Sequence, residues 1–266
     1  MNLERTCTIL DGRSVAAADL EALRHRVSAL KAWNGSRMPI LATLLVGDDP
    51  SSATYVKMKG NACHRVGMDS RVVKLDQTAS TADVLREIDP LNADQAVHGI
   101  LLQHPVPSHV DERQCFDRIS LSKDVDGVTS HGFGLMAMGR PAFGSATSAG
   151  IMRLLAHYDL SVSGLRAVVV GRSPILGKPL SMMMLNSSAT VTVCHAKTSN
   201  LAEEIHRAEV IVGAVGRPNF IRSEWIRDGA IVIDAGYHAG GVGDIQTEGL
   251  VDRCRALTPC LAGLVP

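Results

Sequence analysis

Short apolar runs that stop at glycine, proline or acidic residues, each followed by a segment of helical spacing, constrain this chain most. Ile40-Leu41-Ala42-Thr43-Leu44-Leu45-Val46 is near-continuously apolar and ends at Gly47-Asp48-Asp49-Pro50. A strand without polar alternation has both faces covered, as in a parallel sheet whose connections are helices. Similar runs occur at residues 71–75, 97–103, 166–170, 190–194, 209–214 and 230–234. Helical spacing is found at residues 16–31 and 81–91. A helix capped by Ser51 or Ser52 is expected to run to about Val66. Another is expected over 151–158, capped by Thr147. The segment 175–185 reads as a helix with Pro179 near its start, where proline is tolerated. Asn200-Leu201-Ala202-Glu203 reads as a capping box opening a short helix.

Alternating strand and helix signals place the chain in the α/β class. Its 266 residues suit two modest domains. Residues 139–150, rich in small residues and breakers, mark a hinge. The expected architecture is two αβα domains flanking a cleft, residues 1–144 and 145–266. The second is expected to be a Rossmann-like dinucleotide-binding domain.

Composition removes several function classes. Lys plus Arg equals Asp plus Glu, at 27 each, so no basic excess exists to neutralise a phosphate backbone. Aromatic residues are 3% of the chain, too few for a base-stacking platform. Nucleic acid is therefore not an expected partner. The six cysteines form no Cys-x-x-Cys pair, which suits a reduced protein, and no metal site is expected. Met1-Asn2-Leu3-Glu4-Arg5 carries no signal-peptide core, and no apolar run reaches the roughly 18 residues of a membrane span. A cytoplasmic protein with no membrane partner is expected.

Val168-Val169-Val170-Gly171-Arg172-Ser173-Pro174-Ile175-Leu176-Gly177 reads as strand, glycine turn, helix. A pyrophosphate needs backbone N–H groups at a helix N-terminus, and glycine lets the backbone approach it. The spacing departs from Gly-x-Gly-x-x-Gly, and an ordinary tight turn is the plain alternative. NAD sites usually place a carboxylate about 20 residues further on. Here Cys194-His195-Ala196-Lys197-Thr198 has none, while Arg172 and Lys197 are basic, so NADP is expected over NAD. Gly213-Ala214-Val215-Gly216 and Asp234-Ala235-Gly236-Tyr237 follow strand ends, where open α/β sheets bind ligands. Each is a candidate cofactor loop or a simple turn.

Tyr55 and Lys59 are four apart on an expected helix and share a face. Gln103 ends a strand, and Asp124 and Asp126 lie in the loop that follows. An amine, an amide, a phenol and a carboxylate converging over one cleft suit proton chemistry on a polar planar substrate. Lys57, by contrast, reads as a solvated helix-face residue.

Four ordered motifs carry a family resemblance: Tyr55-Val56-x-x-Lys59-x-x-Ala62-Cys63, Gly99-Ile100-Leu101-Leu102-Gln103-x-Pro105-x-Pro107, Lys123-Asp124-Val125-Asp126-Gly127 and Gly171-Arg172-Ser173-x-Ile175-x-Gly177-x-Pro179. With Ile9-Leu10-Asp11-Gly12 and Thr258-Pro259 at the ends, the chain resembles bifunctional methylenetetrahydrofolate dehydrogenase/methenyltetrahydrofolate cyclohydrolases. The resemblance implies a folate substrate on the first domain and NADP on the second. It implies Lys59 as general acid/base, Gln103 as its hydrogen-bond partner, Tyr55 stacked on the folate and Asp126 on the pterin's amino-pyrimidine edge. It implies a cofactor site including Gly171, Arg172, Ser173, Ile175, Gly177, Pro179, His195, Lys197, Gly216, Asp234 and Gly236, and a homodimer formed through the cofactor domain.

The chain also departs from the family pattern. Ser145-Ala146-Thr147-Ser148 stands where the family has Pro-Cys-Thr-Pro, so a looser hinge is expected. Gly132 and Leu135 stand where it has Asn and Arg, and Ala196 where a Ser is common. After Thr258-Pro259 the family continues with a glycine-rich loop and a long helix. This sequence reads Cys260-Leu261-Ala262-Gly263-Leu264-Val265-Pro266, and a reduced cleft wall is expected. Two further readings follow: a non-catalytic relative that binds folate or nucleotide in a regulatory or interaction role, and a dehydrogenase on this fold with another substrate.

Overall fold

The computed structural model describes residues 7–259 except 34, 36 and 239, so the expectation for residues 260–266 lies outside the described residues. In chain order the strands are β1 (Thr8–Ile9), β2 (Ile40–Val46), β3 (Asp69–Leu75), β4 (Gly99–Leu102), β5 (Arg166–Val170), β6 (Thr190–Cys194), β7 (Val210–Gly213), β8 (Ile231–Asp234) and β9 (Ala256–Leu257). The α-helices are α1 (Gly12–Trp33), α2 (Pro50–Val66), α3 (Thr81–Ala93), α4 (Glu112–Arg118), α5 (Ser130–Ala137), α6 (Ala146–His157), α7 (Gly177–Asn186) and α8 (Leu201–Arg207). The chain forms two compact units. One spans Ala16–Gly144, and the other joins the described residues up to Val15 to those from Ser145 onward. The first strand thus groups with the C-terminal half, where β1 pairs in parallel with β9.

The unit of residues 16–144 holds a parallel three-stranded sheet in the order β3-β2-β4. Its central strand runs from half-buried Ile40 and Leu41 into the buried stretch from Ala42 to Val46, as its unbroken apolar run demands. α2 starts immediately afterwards. Its cap is Asp49, whose carboxylate accepts the Ser52 N–H at 2.7 Å, with Pro50 in the first turn. This corrects the Ser51 or Ser52 cap: an acceptor just before a proline already answers the orphan amides. α3 carries a full capping box in which Ser80 and Asp83 satisfy each other's backbone amides.

The other unit is built on a parallel six-stranded sheet in the order β1-β9-β8-β7-β5-β6. Ala167, Val169, Val212 and Ile233 pack with Ile151, Leu154, Leu180 and Met184 on one face. Val168, Val170, Ile211 and Val232 pack with Ile205, Ile221 and Ile245 on the other. Adjacent residues of one strand therefore enter opposite cores, and each large side chain buried this way contributes about 1.5–3 kcal/mol. Strand order reverses around β5, which lies between β6 and β7. Open parallel sheets bind ligands at the carboxyl ends of strands at such a point.

Two further capping expectations are corrected. The N-cap of α6 is Ser145, and Thr147 lies exposed inside the helix. Asn200 precedes α8 in a left-handed conformation (φ 52°) and makes no side-chain cap bond. Its amide cannot reach the helix amides from that backbone geometry.

Candidate active site

The unit of residues 16–144 brings Lys59, Gln103 and Asp126 together. α2 carries Lys59 in its third turn. Gln103, 8% exposed, follows the last residue of β4, and its backbone N–H is held by the Leu44 carbonyl at 2.9 Å. Lys59 Nζ donates to Gln103 Oε1 at 3.3 Å, and Gln103 Nε2 donates to the His104 carbonyl at 2.8 Å. With its amide fixed from both ends, Gln103 can present only its oxygen to the amine. Tyr55 is half-buried one turn earlier on the same helix, and Lys57 is exposed.

The two aspartates of the loop have different tasks. Asp124, 1% exposed, accepts the Val128 and Thr129 N–H groups, each at 3.0 Å, and so shapes the turn. Lys123 Nζ anchors the same loop on the Leu91 and Asp94 carbonyls at 2.8 and 2.7 Å. Asp126, the loop's other carboxylate, lies within electrostatic range of Lys59. Gly132 is explained here as well. A Cβ at that position would lie 2.9 Å from Thr129 Oγ1 and 3.1 Å from the Asp124 carboxylate, so a larger side chain there requires these neighbours to shift.

Electrostatics fit acid–base work. Burial pushes Lys59 below the ordinary lysine value, and the Asp126 charge only partly offsets it. Burial pushes Asp126 up, opposed by the charge of Lys59. A further pair was not anticipated from sequence: His104 Nδ1 lies 2.6 Å from Glu112 Oε1. That bond raises the His104 pKa, with smaller contributions in the same direction from the charges of Glu112 and Asp126 and an opposing one from burial. Its only sequence signal is a histidine next to Gln103, with the partner eight residues away on a helix the apolar pattern does not reveal.

In the six-stranded unit, the Gly171 N–H donates to the Cys194 carbonyl at 2.9 Å. The turn after β5 and the turn after β6 therefore start from one edge, with Arg172 and Lys197 exposed and His195 half-buried. His195 Nδ1 accepts the Lys197 N–H at 3.2 Å and closes its own turn. Gly171 has φ 144°, and a Cβ there would run into the Ala214 carbonyl. A Cβ on Gly177 would run into the Gly171 carbonyl. Both glycines therefore let the turn close on itself. Ser173 Oγ accepts the Leu176 N–H at 3.1 Å, Ile175 is half-buried, and Pro179 lies buried in the first turn of α7. That turn has no acidic residue, and Leu176 offers no side-chain cap. A helix start whose Gly177 N–H lies beside the basic side chains of Arg172 and Lys178 suits an anionic diphosphate, so the residues present fit a dinucleotide.

Asp234 and Gly236 lie in a buried hydrogen-bond network. Asp234 is fully buried, and its carboxylate accepts the N–H groups of Gly236, Asp244 and Ile245, each at 2.9 Å. That carboxylate is consumed in fixing backbone rather than offered to a ligand, and Gly236 is buried among its donors. A second buried carboxylate, Asp244, accepts Val215, Gly216 and Arg217 N–H at 2.5, 2.9 and 3.0 Å and meets His238 Nε2 at 2.8 Å. Gly216 is thus positioned by Asp244, a residue the sequence does not single out. Its contacts lie about 28 positions away, beyond any local pattern.

Among the described residues no cluster of His, Cys, Asp or Glu could hold a metal ion, and no helix is long and apolar enough to cross a membrane.

Comparison with known proteins agrees with this geometry. Residues 10–126 match the tetrahydrofolate dehydrogenase/cyclohydrolase catalytic domain. Residues 145–266 match the NAD(P)-binding domain of the same family. The bifunctional protein FolD of Acidobacterium capsulatum is 60% identical over 258 residues, covering 97% of this chain and 92% of the relative. That of Cellvibrio japonicus is 60% identical with the same coverage. The crystal structure of FolD methylenetetrahydrofolate dehydrogenase/cyclohydrolase from Campylobacter jejuni superposes with a TM-score of 0.93 at 37% identity, covering 97% of this chain and 93% of that one. The FolD structure from Trypanosoma brucei, complexed with NADP cofactor and inhibitor, gives 0.92 at 31% identity, with 98% and 93% covered. Two domain matches in order, high identity over nearly the full length and a shared fold have one meaning: the chain belongs to the tetrahydrofolate dehydrogenase/cyclohydrolase family and is an enzyme with that family's catalytic and NAD(P)-binding parts.

Proposed function

We propose that this chain oxidises 5,10-methylenetetrahydrofolate with NADP and then hydrolyses the methenyl product to 10-formyltetrahydrofolate. The unit of residues 16–144 serves the folate, and the six-stranded unit, which takes in the first strand, serves the dinucleotide. The observation that carries the reading is the half-buried Lys59 amine, held by Gln103 at 3.3 Å and facing the charge of Asp126. Bound NADP supplies the hydride acceptor. The protein's task in the first step is to orient the folate: Asp126 receives the amino-pyrimidine edge and Tyr55 covers the ring face.

In the second step, water adds to the electrophilic methenyl carbon. Lys59, whose burial favours the neutral amine, takes the proton as the carbon–oxygen bond forms. The ammonium so produced returns a proton to the ring nitrogen as the carbon–nitrogen bond breaks. The formyl group is left on the other nitrogen, and one proton is released overall. Gln103 Oε1 holds the amine in line in both directions.

Preference for NADP is supported by Arg172 and Lys197 and by the lack of a carboxylate in residues 194–198. A homodimer through the six-stranded unit is supported by β6, an edge strand on which Val193 is 40% exposed. A cytoplasmic location is supported by free thiols at all five described cysteines. The retained Tyr55, Lys59, Gln103 and Asp126 weigh against a non-catalytic relative.

The test supplies methylenetetrahydrofolate and NADP and follows both NADPH formation and methenyl decay. Both signals are expected, and Lys59→Ala is expected to abolish methenyl decay. NADP binding without turnover by the wild-type chain would overturn the proposal.

A further inference from the structure

The serines that replace the family's prolines are buried, and their hydroxyls, 3.5 Å from each other, both also reach carbonyls outside their own helix. Ser145 is 3% exposed and Ser148 is 0%. Serine at an N-cap ordinarily accepts an amide of its own first turn, worth about 1 kcal/mol. Ser145 makes no such bond. Its hydroxyl donates instead to the carbonyl of Ile175, 30 residues on. Ser148 Oγ donates to the neighbouring Leu176 carbonyl at 3.1 Å. A third hydroxyl continues the row inside α7, where Ser181 Oγ donates to the Gly177 carbonyl at 2.7 Å. Consecutive carbonyls of the turn are thus held by serine hydroxyls, while Ser173 takes the Leu176 and Lys178 N–H groups at 3.1 and 3.0 Å and leaves the Gly177 N–H between them. Proline at 145 or 148 would have no hydroxyl to donate.

From this geometry we infer that Ser145 and Ser148 are positioning residues for the dinucleotide, clasping the 175–176 turn so that the Gly177 N–H at the start of α7 stays aimed at the diphosphate. The inference rests on the reading of this turn as the NADP site. The looser hinge expected from proline loss is offset, in this chain, by two bonds made directly to the turn.

The test compares wild type, Ser145→Ala, Ser148→Ala, the double variant and Ser145→Thr. Direct titration with NADP should give a Kd raised about fivefold in each single alanine variant and tenfold or more in the double, as loss of one hydrogen bond each predicts. Ser145→Thr, which keeps the hydroxyl, should bind like wild type. Hydrolysis of methenyltetrahydrofolate without dinucleotide involves no redox change, and should stay within about twofold in every variant. In the absence of NADP, the amides of residues 176–178 and 180 should exchange with deuterium faster in each alanine variant than in wild type. The exchange readout and the single variants decide the matter if the double variant does not fold. Unchanged Kd and unchanged exchange in folded variants would overturn the inference. So would a matching loss of hydrolysis, which marks general damage. Wild type that binds no NADP would overturn the functional reading and this inference together. Intact wild-type binding with unaffected variants overturns this inference alone.

Discussion

A single amide decides how Lys59 works. Gln103 is fixed by its backbone N–H and by its own Nε2, so Oε1 holds the amine in one place. Gln103→Leu removes that hold, and misplacement of a reacting group by about 1 Å can cost on the order of 100-fold. We expect methenyl hydrolysis to fall by about that much while NADP affinity is unchanged; steady-state kinetics with a parallel NADP titration checks it. Lys59 also leaves a signature on stability. Its folded pKa is lowered by burial, so the unfolded chain holds a proton that the folded chain sheds. Stability contributed through this group therefore rises with pH between the folded and unfolded values, and the penalty is largest below the folded one. Lys59→Met should flatten that rise. Urea denaturation from about pH 7 to 10 measures it, and an unchanged slope would refute the assignment.

At the scale of elements, the turns around the six-stranded sheet are held by buried carboxylates. Asp244 answers three successive amides and His238. Asp244→Ala leaves those donors without an acceptor and should lower stability by on the order of 3 kcal/mol in urea denaturation. Gly171→Ala is expected to force the turn away from Ala214 and to abolish NADP binding while methenyl hydrolysis survives; the two assays side by side test it. Legibility in sequence follows the range of each signal. β2, β5 and β6 occupy the expected residues because burial on both faces is written in consecutive side chains. β1 and β9, two residues each, have no period to read and are defined by pairing, β1 with β9 and β9 with β8. α4 and α5 flank the Asp124 loop and are too short for helical spacing to stand out. The cluster of Lys59, Gln103 and Asp126 was legible because strand ends and one helix face define it. The tasks of Asp234 and Asp244 were not, because each depends on amides that only the fold brings near.

At the scale of the whole molecule, the chain's two units are not a simple cut of the sequence. Leu10 is fully buried in the same core as Val169 and Ile233, although it lies at the opposite end of the chain. Leu10→Ala should therefore destabilise the six-stranded unit by about 2–5 kcal/mol, read as earlier urea unfolding that added NADP partly reverses. The account's central claim concerns proton transfer through the residue 59 amine, whose pKa burial lowers, and Lys59→Arg tests it most directly. Arginine keeps the positive charge and the hydrogen-bonding reach but cannot shed a proton. Methenyl hydrolysis by this variant, measured across pH with NADP binding as the control for folding, is predicted to fall about 100- to 10,000-fold and to lose the wild-type ionisation. Hydrolysis at the wild-type rate with an unchanged pH profile would contradict it.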